Sequence, residues 1–318
     1  MPYTLLIGLG AGIVSATVFA SATTGAIPMR LILFLLTPLA LFLAGLGVGP
    51  TTAAVAGIAG TALVLAAGSP AAAVIFFASQ AVPVFLLTYL ASLSRTTGET
   101  TEWYPIGRIV LAAALFSGAF ATLTLILLGG DVEALRTSLR ALLEAFVTNE
   151  LPKMPDAPTL TPKDIDEATS VALALLPAAS AISSMVSLLF NMWLAGKITL
   201  ASGRLQRPWP DLAAITYPAG TPLLLAVAMG AWFLPGLPGL MGGGFAGPLF
   251  VAFLILGLAV VHYMTRGYAW RPFALWALYA ALFIMNSVVS PALALLGLTE
   301  SIWSLRRRKP PGQDPPAA

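Results

Sequence analysis

Cysteine is absent from the 318 residues, histidine occurs once, and acids and bases together make up only 9% of the chain. The missing thiols exclude disulfides, thiolate metal sites and cysteine nucleophiles. One histidine cannot assemble a His/Glu zinc site within the chain, so no metal and no resident cofactor is expected. A soluble domain carries about 25% charged residues, and 16 bases with 13 acids cannot coat a fold of this size in water. Apolar residues reach 58% and mean hydropathy is +0.90. That composition excludes both disorder and an ordinary soluble enzyme. The expected solvent is a lipid bilayer.

Lipid admits only helices or closed barrels, and these apolar runs are too long and too continuous for barrel strands. Spans are expected at Thr4–Thr24, Met29–Val48, Thr51–Ala67, Ala71–Leu93, Ile106–Leu128, Ala168–Ala195, Pro218–Leu234, Gly247–Met264 and Pro272–Leu298. The expected fold is an all-α polytopic bundle of eight or nine transmembrane helices. It forms one domain over residues 1–305, followed by a basic and then proline-rich tail at 306–318, expected to be disordered. Ala20-Ser21-Ala22 mimics a signal-peptidase site, but no base precedes the apolar run, so cleavage is not expected.

Two polar islands interrupt the pattern. Ser92–Pro105 is a short loop. Asp131–Glu167 is a longer insertion with eight acids, and its first half reads as a helix: Asp131 can cap it, and Leu135, Leu139, Leu142 and Phe146 share one face. Such a helix lies at the membrane surface or on the bundle. Lys153–Lys163 contains three prolines and reads as a linker.

Bases mark the cytoplasmic side. Arg95, Arg108, Lys197, Arg204 and Arg207 agree on one side, and the acidic island falls on the other. Nine spans would then put Arg306, Arg307, Arg308 and Lys309 outside, where bases do not belong. These four supply most of the net charge of +3. They suit anionic phospholipid, and nucleic acid is not an expected partner. The conflict is relieved if one late segment fails to cross. The glycine-rich Pro235–Gly244 stretch reads as non-helical, either a re-entrant hairpin beside Pro218–Leu234 or an external loop.

No acid lies inside an expected span, which removes the membrane-depth carboxylates on which proton relays and intramembrane aspartyl proteolysis depend. No nucleotide-binding loop is present, and Gly8–Gly12 sits inside a span without a preceding strand. Enzymatic activity is therefore not expected. Ser180, Ser184, Ser187 and Asn191 line one face of the sixth span, a turn or more after Pro177. That stripe is either helix–helix glue or the wall of a polar ligand cavity, which Gln80 and Asn286 could also face. His262 is either an interfacial histidine bonded to a neighbouring carbonyl or a ligand or proton contact. Gly8, Gly12, Ala16 and Ala20 let another helix approach, within the bundle or from a partner. Arg207-Pro208-Trp209 is an interfacial anchor or a docking loop for a cytosolic partner.

The sixth span leading into Arg207-Pro208-Trp209-Pro210, then Tyr217-Pro218 opening a helix, resembles the later half of the YybS-like bacterial membrane proteins. So do Leu256-Gly257-Leu258-Ala259-Val260-Val261-His262-Tyr263 and the ending Leu295-Leu296-Gly297-Leu298-Thr299-Glu300-Ser301-Ile302-Trp303 before Arg306-Arg307-Arg308. The family usually carries an aspartate near the last motif, where this chain has Thr299-Glu300. The resemblance implies an inner-membrane protein of unknown function. It also implies a helical core similar to the substrate-binding subunits of energy-coupling-factor vitamin transporters, whose first helix meets the coupling subunit through small residues. Ala16 and Ala20 have that spacing, although this chain is several spans longer. Two functions stand as expectations. One is a transport or substrate-binding membrane subunit that draws on a partner ATPase. The other is a membrane scaffold in cell-envelope or morphogenetic work.

Overall fold

The computed structural model describes residues 2–22, 26–127, 129–149, 151 and 160–308. Among the described residues thirteen α-helices follow one another: α1 Pro2–Ser21, α2 Ile27–Leu36, α3 Leu39–Gly47, α4 Pro50–Ala66, α5 Pro70–Phe76, α6 Val82–Ser92, α7 Ile106–Leu127, α8 Val132–Asn149, α9 Pro162–Ala201, α10 Thr221–Trp232, α11 Leu237–Met264, α12 Arg271–Ile284 and α13 Asn286–Trp303. Among the described residues, six helical segments are long and apolar enough to cross a membrane. They are Pro2–Ser21, Pro28–Gly47, Pro70–Ser92, Ile106–Leu127, Pro162–Ala201 and Leu237–Met264; Pro50–Ala66, Thr221–Trp232 and Arg271–Ile284 are shorter apolar helices. The chain is an all-α membrane helix bundle.

Proline explains two internal breaks. Pro38 has no N–H and separates α2 from α3 inside the expected second span. A single π-turn, Phe77–Ala81, joins α5 to α6 just before Pro83, which has no N–H to donate; there the Val82 N–H donates to the Phe77 carbonyl. The loop at 92–105 contains a small exposed hairpin, β1 Ser94–Thr97 and β2 Thr100–Trp103, antiparallel with Ser94 opposite Trp103. The two-residue turn uses Gly98 at φ +63°, a conformation glycine adopts without strain.

At the other end of the bundle, Asp131 caps α8 by accepting from the Glu133 and Ala134 N–H groups at 2.9 and 3.3 Å. Thr161 and Asp164 form a reciprocal capping box on α9. With 40 residues, α9 is about 60 Å long, twice the hydrocarbon thickness of about 30 Å. Its first turns therefore extend beyond the lipid, and α8 lies along them. Val132, Leu135 and Leu139 pack against a small cluster of Leu125, Leu173 and Leu240, and Arg140 bridges to Asp166 at 3.0 Å. Leu142 and Phe146 stay exposed. The Lys153–Lys163 linker lies mostly outside the described residues.

The core centres on α7, α9 and α11, where Ile109, Met185, Leu188, Leu249, Phe253 and Leu256 are fully buried. The α1–α4 contact is unusually close: a Cβ on Gly12 would stand 2.5 Å from the Ala56 carbonyl oxygen.

Two expectations are corrected. Pro235–Gly244 is not irregular: α11 begins at Leu237 and runs through Gly239, Gly242, Gly243 and Gly244. Low helix propensity is overridden because these glycines let α10 lie against α11; a Cβ on Gly242 would meet the Trp232 nitrogen at 2.4 Å. The ninth segment is not one helix, for the backbone turns at Met285 (φ −118°, ψ 41°) and separates α12 from α13. That additional turn returns the chain to the end occupied by Arg207. Arg306, which opens the expected tail, is buried there. Its Nη1 and Nη2 each donate at 2.6 Å to the Ala213 and Ile215 carbonyls, and its Nε donates to Glu300 at 2.9 Å. The C-terminal bases therefore share an end with Arg204 and Arg207. The tail beyond Arg308 lies outside the described residues.

Candidate functional site

Among the described residues, the stripe on α9 lines no part of the large cavity between α7, α9 and α11. Ser187 Oγ and Asn191 Nδ2 both donate to the Leu35 carbonyl, at 2.8 and 2.6 Å, and Asn191 also donates to the Ser187 carbonyl at 2.7 Å. Leu35 is among the last carbonyls of α2, orphaned where Pro38 interrupts the ladder. On the other side of the break, Ser15 Oγ donates to the Thr37 carbonyl at 2.7 Å. The stripe supplies donors to a broken helix in a solvent that has none. Ser184 is buried beside them, and Ser180 is exposed and donates to the Pro177 carbonyl at 2.9 Å. Gln80 is buried in the π-turn and donates to Ser79 at 3.1 Å, while its Oε1 has no partner. Asn286 accepts from Ser290 one turn later on α13. Gln80 and Asn286, which could have faced the same interior as the stripe, bond instead within their own helices.

Of the small residues, Gly12 and Ala16 are buried and Ala20 is exposed. Gly12 is occupied by α4, which removes it as a docking surface for a partner.

The cavity lies elsewhere. A space of about 960 Å³ opens between α7, α9 and α11, at the upper end of the roughly 300–1,000 Å³ usual for small-molecule sites. Its walls are apolar: Ile106, Ile109 and Val110 from α7, Val186, Leu189, Phe190 and Trp193 from α9, and Val251, Ile255 and Leu258 from α11. Exposed Val186, Phe190 and Trp193 on α9 and Tyr279 on α12 mark its open flank. No residue of α12 is buried, so this wall is held lightly.

One end of the cavity is charged. The segment after α9 contributes Arg207, Trp209 and Asp211; His262 and Arg266 come from the end of α11 and the turn after it, and Arg271 and Tyr279 from α12. Three of the residues singled out in the sequence, Arg207, Trp209 and His262, therefore meet here. The loop at 205–215 turns inward: Trp209 is half-buried and lies 4.0 Å beneath the Lys197 ammonium, a cation–π contact. Arg306 anchors the same loop through Ala213 and Ile215.

The charges divide into paired and unpaired. Arg266 engages Asp211 with both terminal nitrogens, one bond being 2.7 Å from Nη1 to Oδ2. Those bonds hold the Asp211 carboxyl below its ordinary range, with smaller help from the Ala213 N–H and Arg306. Arg207 donates weakly to the Ala91 and Tyr104 carbonyls, each at 3.4 Å, and its Nε is buried with no partner. Burial lowers the Arg207 pKa from its usual value, although arginine remains charged in proteins. Arg271 also has a buried, unpartnered Nε. Among the described residues, neither Arg207 nor Arg271 has a carboxylate partner. His262 Nε2 and the Tyr279 hydroxyl share a 2.8 Å hydrogen bond that ties α12 to α11. Below them, Tyr217 donates to the Ala252 carbonyl at 2.6 Å, and burial pushes its phenol pKa up.

Asp211, Arg266, Arg271 and Tyr279 were not legible as site residues. The available signal was spacing in a base-poor chain: Arg266 and Arg271 bracket the Gly267–Trp270 turn directly after His262. Among the described residues, no three His, Asp or Glu side chains gather as metal ligands.

No curated protein and no solved structure matches the chain. A family model described as "Predicted membrane protein (DUF2232)" matches residues 14–301. That range takes in every wall of the cavity, and the chain belongs to this predicted membrane protein family.

Proposed function

We propose that the chain is the substrate-binding or permease part of a transport system in a bacterial inner membrane, taking a largely apolar small molecule into the cavity. A separate ATPase supplies the energy, since the sequence carries no nucleotide-binding loop. The observation that carries this reading is the cavity of about 960 Å³, apolar along its walls and open on the flank between α9 and α12. The charged end is cytoplasmic under the positive-inside rule, because Arg95, Arg204 and Arg207 gather there. A ligand would thus enter from the membrane side and present its polar end to the cytoplasmic face.

The ligand site of this reading is not the α9 stripe, whose donors are used by Leu35. The expected likeness to energy-coupling-factor subunits lends this reading no support, since Gly12 packs on α4 rather than lying open to a partner. A scaffold would be expected to have a filled interior, and the cavity speaks against that alternative.

The test is thermal stability of the purified protein against a panel of apolar and amphipathic metabolites, beside a cavity-filling Leu258→Trp variant. A ligand of this site raises the Tm of the wild type and not that of the variant. Stabilisation by no compound, together with no ATPase co-purifying from the native membrane, overturns the reading.

A further inference from the structure

Three bases and one acid line the charged end of the cavity, and the acid is consumed by Arg266. Two guanidinium groups remain without a counter-charge among the described residues, on different elements: Arg207 on the loop after α9 and Arg271 at the start of α12. Each keeps a buried Nε donor with no acceptor. Buried donors and cations are ordinarily satisfied, and two unsatisfied guanidinium donors lining one open cavity call for an anion supplied from outside the chain. Two guanidinium forks from separate elements suit a phosphate, whose several oxygens can accept from both. The His262–Tyr279 pair adds further hydrogen-bonding capacity at the same end. The remaining walls are hydrocarbon, and they open toward the flank that lipid would cover.

We infer that the occupant is an amphiphile from the bilayer with an anionic phosphate head, seated head-first between Arg207 and Arg271 with its chain along Val186, Phe190, Ile255 and Leu258. This rests on the reading of the cavity as a ligand site, and it names the class of ligand. Lateral entry follows from the open flank: the chain slides between α9 and α12 while the head reaches the bases. Asp211 is engaged by Arg266 and not by Arg207 or Arg271, so it does not compete with the head.

The experiment is native mass spectrometry of the full-length, delipidated protein in detergent. Phosphatidylglycerol, phosphatidylcholine of the same chains, dodecyl phosphate and inorganic phosphate are titrated separately. Phosphatidylglycerol and dodecyl phosphate should bind about tenfold or more tighter than phosphatidylcholine and inorganic phosphate, the scale set by a charge-assisted hydrogen bond. Arg207→Gln with Arg271→Gln should abolish that preference, the double lysine replacement should retain much of it, and Arg95→Gln on the exposed hairpin should leave it unchanged. Leu258→Trp should displace the bound amphiphile. Equal binding of both phospholipids, still displaced by Leu258→Trp, overturns the head-group assignment and leaves the cavity as a ligand site. Inorganic phosphate binding as tightly as dodecyl phosphate overturns the amphiphile. Binding that Leu258→Trp does not affect overturns both this inference and the reading beneath it.

Discussion

Asn191 reaches 156 positions back along the chain to donate its Nδ2 hydrogen to the Leu35 carbonyl at 2.6 Å. Ser187 donates to the same oxygen at 2.8 Å. Of the two readings of this polar face, helix–helix glue or ligand wall, the bonds match the first: they repair the helix that Pro38 breaks. Asn191→Ala should destabilise the protein by about 0.6–1.7 kcal/mol, the range for one interhelical hydrogen bond in a membrane protein. Combined with Ser187→Ala it should cost more, because the Leu35 carbonyl loses both donors. Thermal unfolding in detergent measures this, and ligand retention in the cavity should not change.

The Glu300–Arg306 pair, with both side chains only 7% exposed, carries a larger penalty when broken. Arg306→Ala leaves a buried carboxylate without its cation and frees the Ala213 and Ile215 carbonyls. A loss of roughly 3–5 kcal/mol is expected, as for other buried pairs that lose one partner. Replacing both residues by methionine should be milder than removing Arg306 alone. Comparing the two variants by chemical unfolding separates the cost of the orphaned charge from the worth of the pair.

Asp211 gives the stability a pH dependence of definite sign. Its folded pKa lies below the ordinary carboxylate value because Arg266 donates to it. The contribution is therefore complete above the unfolded pKa of about 3.9 and is lost as pH falls through the lower folded value. Tm measured from pH 7 to pH 3 should fall at the acid end in the wild type, and the fall should be shallower in Asp211→Asn. With the Asp211 side chain 46% exposed, solvent screening keeps the difference small.

Backbone contact between α1 and α4 predicts opposite outcomes for two neighbouring glycines. Gly12→Ala places a Cβ 2.5 Å from the Ala56 carbonyl oxygen and should lower Tm by several degrees, whereas Gly10→Ala meets nothing within 4 Å and should leave it unchanged or slightly higher. Equal tolerance at both positions would show that α1 does not pack on α4.

The absence of cysteine makes topology directly testable. Single replacements Arg95→Cys, Arg204→Cys and Arg307→Cys occupy exposed positions at one end, and Arg136→Cys lies on α8 at the other. A membrane-impermeant maleimide should label the first three from one side only and the fourth from the opposite side. Labelling of Arg307→Cys with Arg136→Cys would remove the turn at Met285 as a reversal of chain direction.

Composition and periodicity by themselves determined the solvent, the helical class and the place of most helices, because a bilayer forces every spanning backbone group into an internal hydrogen bond. They also located the amphipathic α8 and the bases that mark one end. Tertiary packing decided the rest. Gly239–Gly244 became helix because α10 approaches where no side chain stands, and local propensity contains no term for a neighbour. The C-terminal bases came to the Arg207 end because the backbone turns at Met285, where Asn286 and Ser287 are too few polar residues to distinguish a break from a polar spot on one continuous span. The site followed the same rule. His262, Arg207 and Trp209 are visible singly, yet only the fold brings them to Arg266 and Arg271 at the end of one cavity, since a cavity is a property of which helices meet.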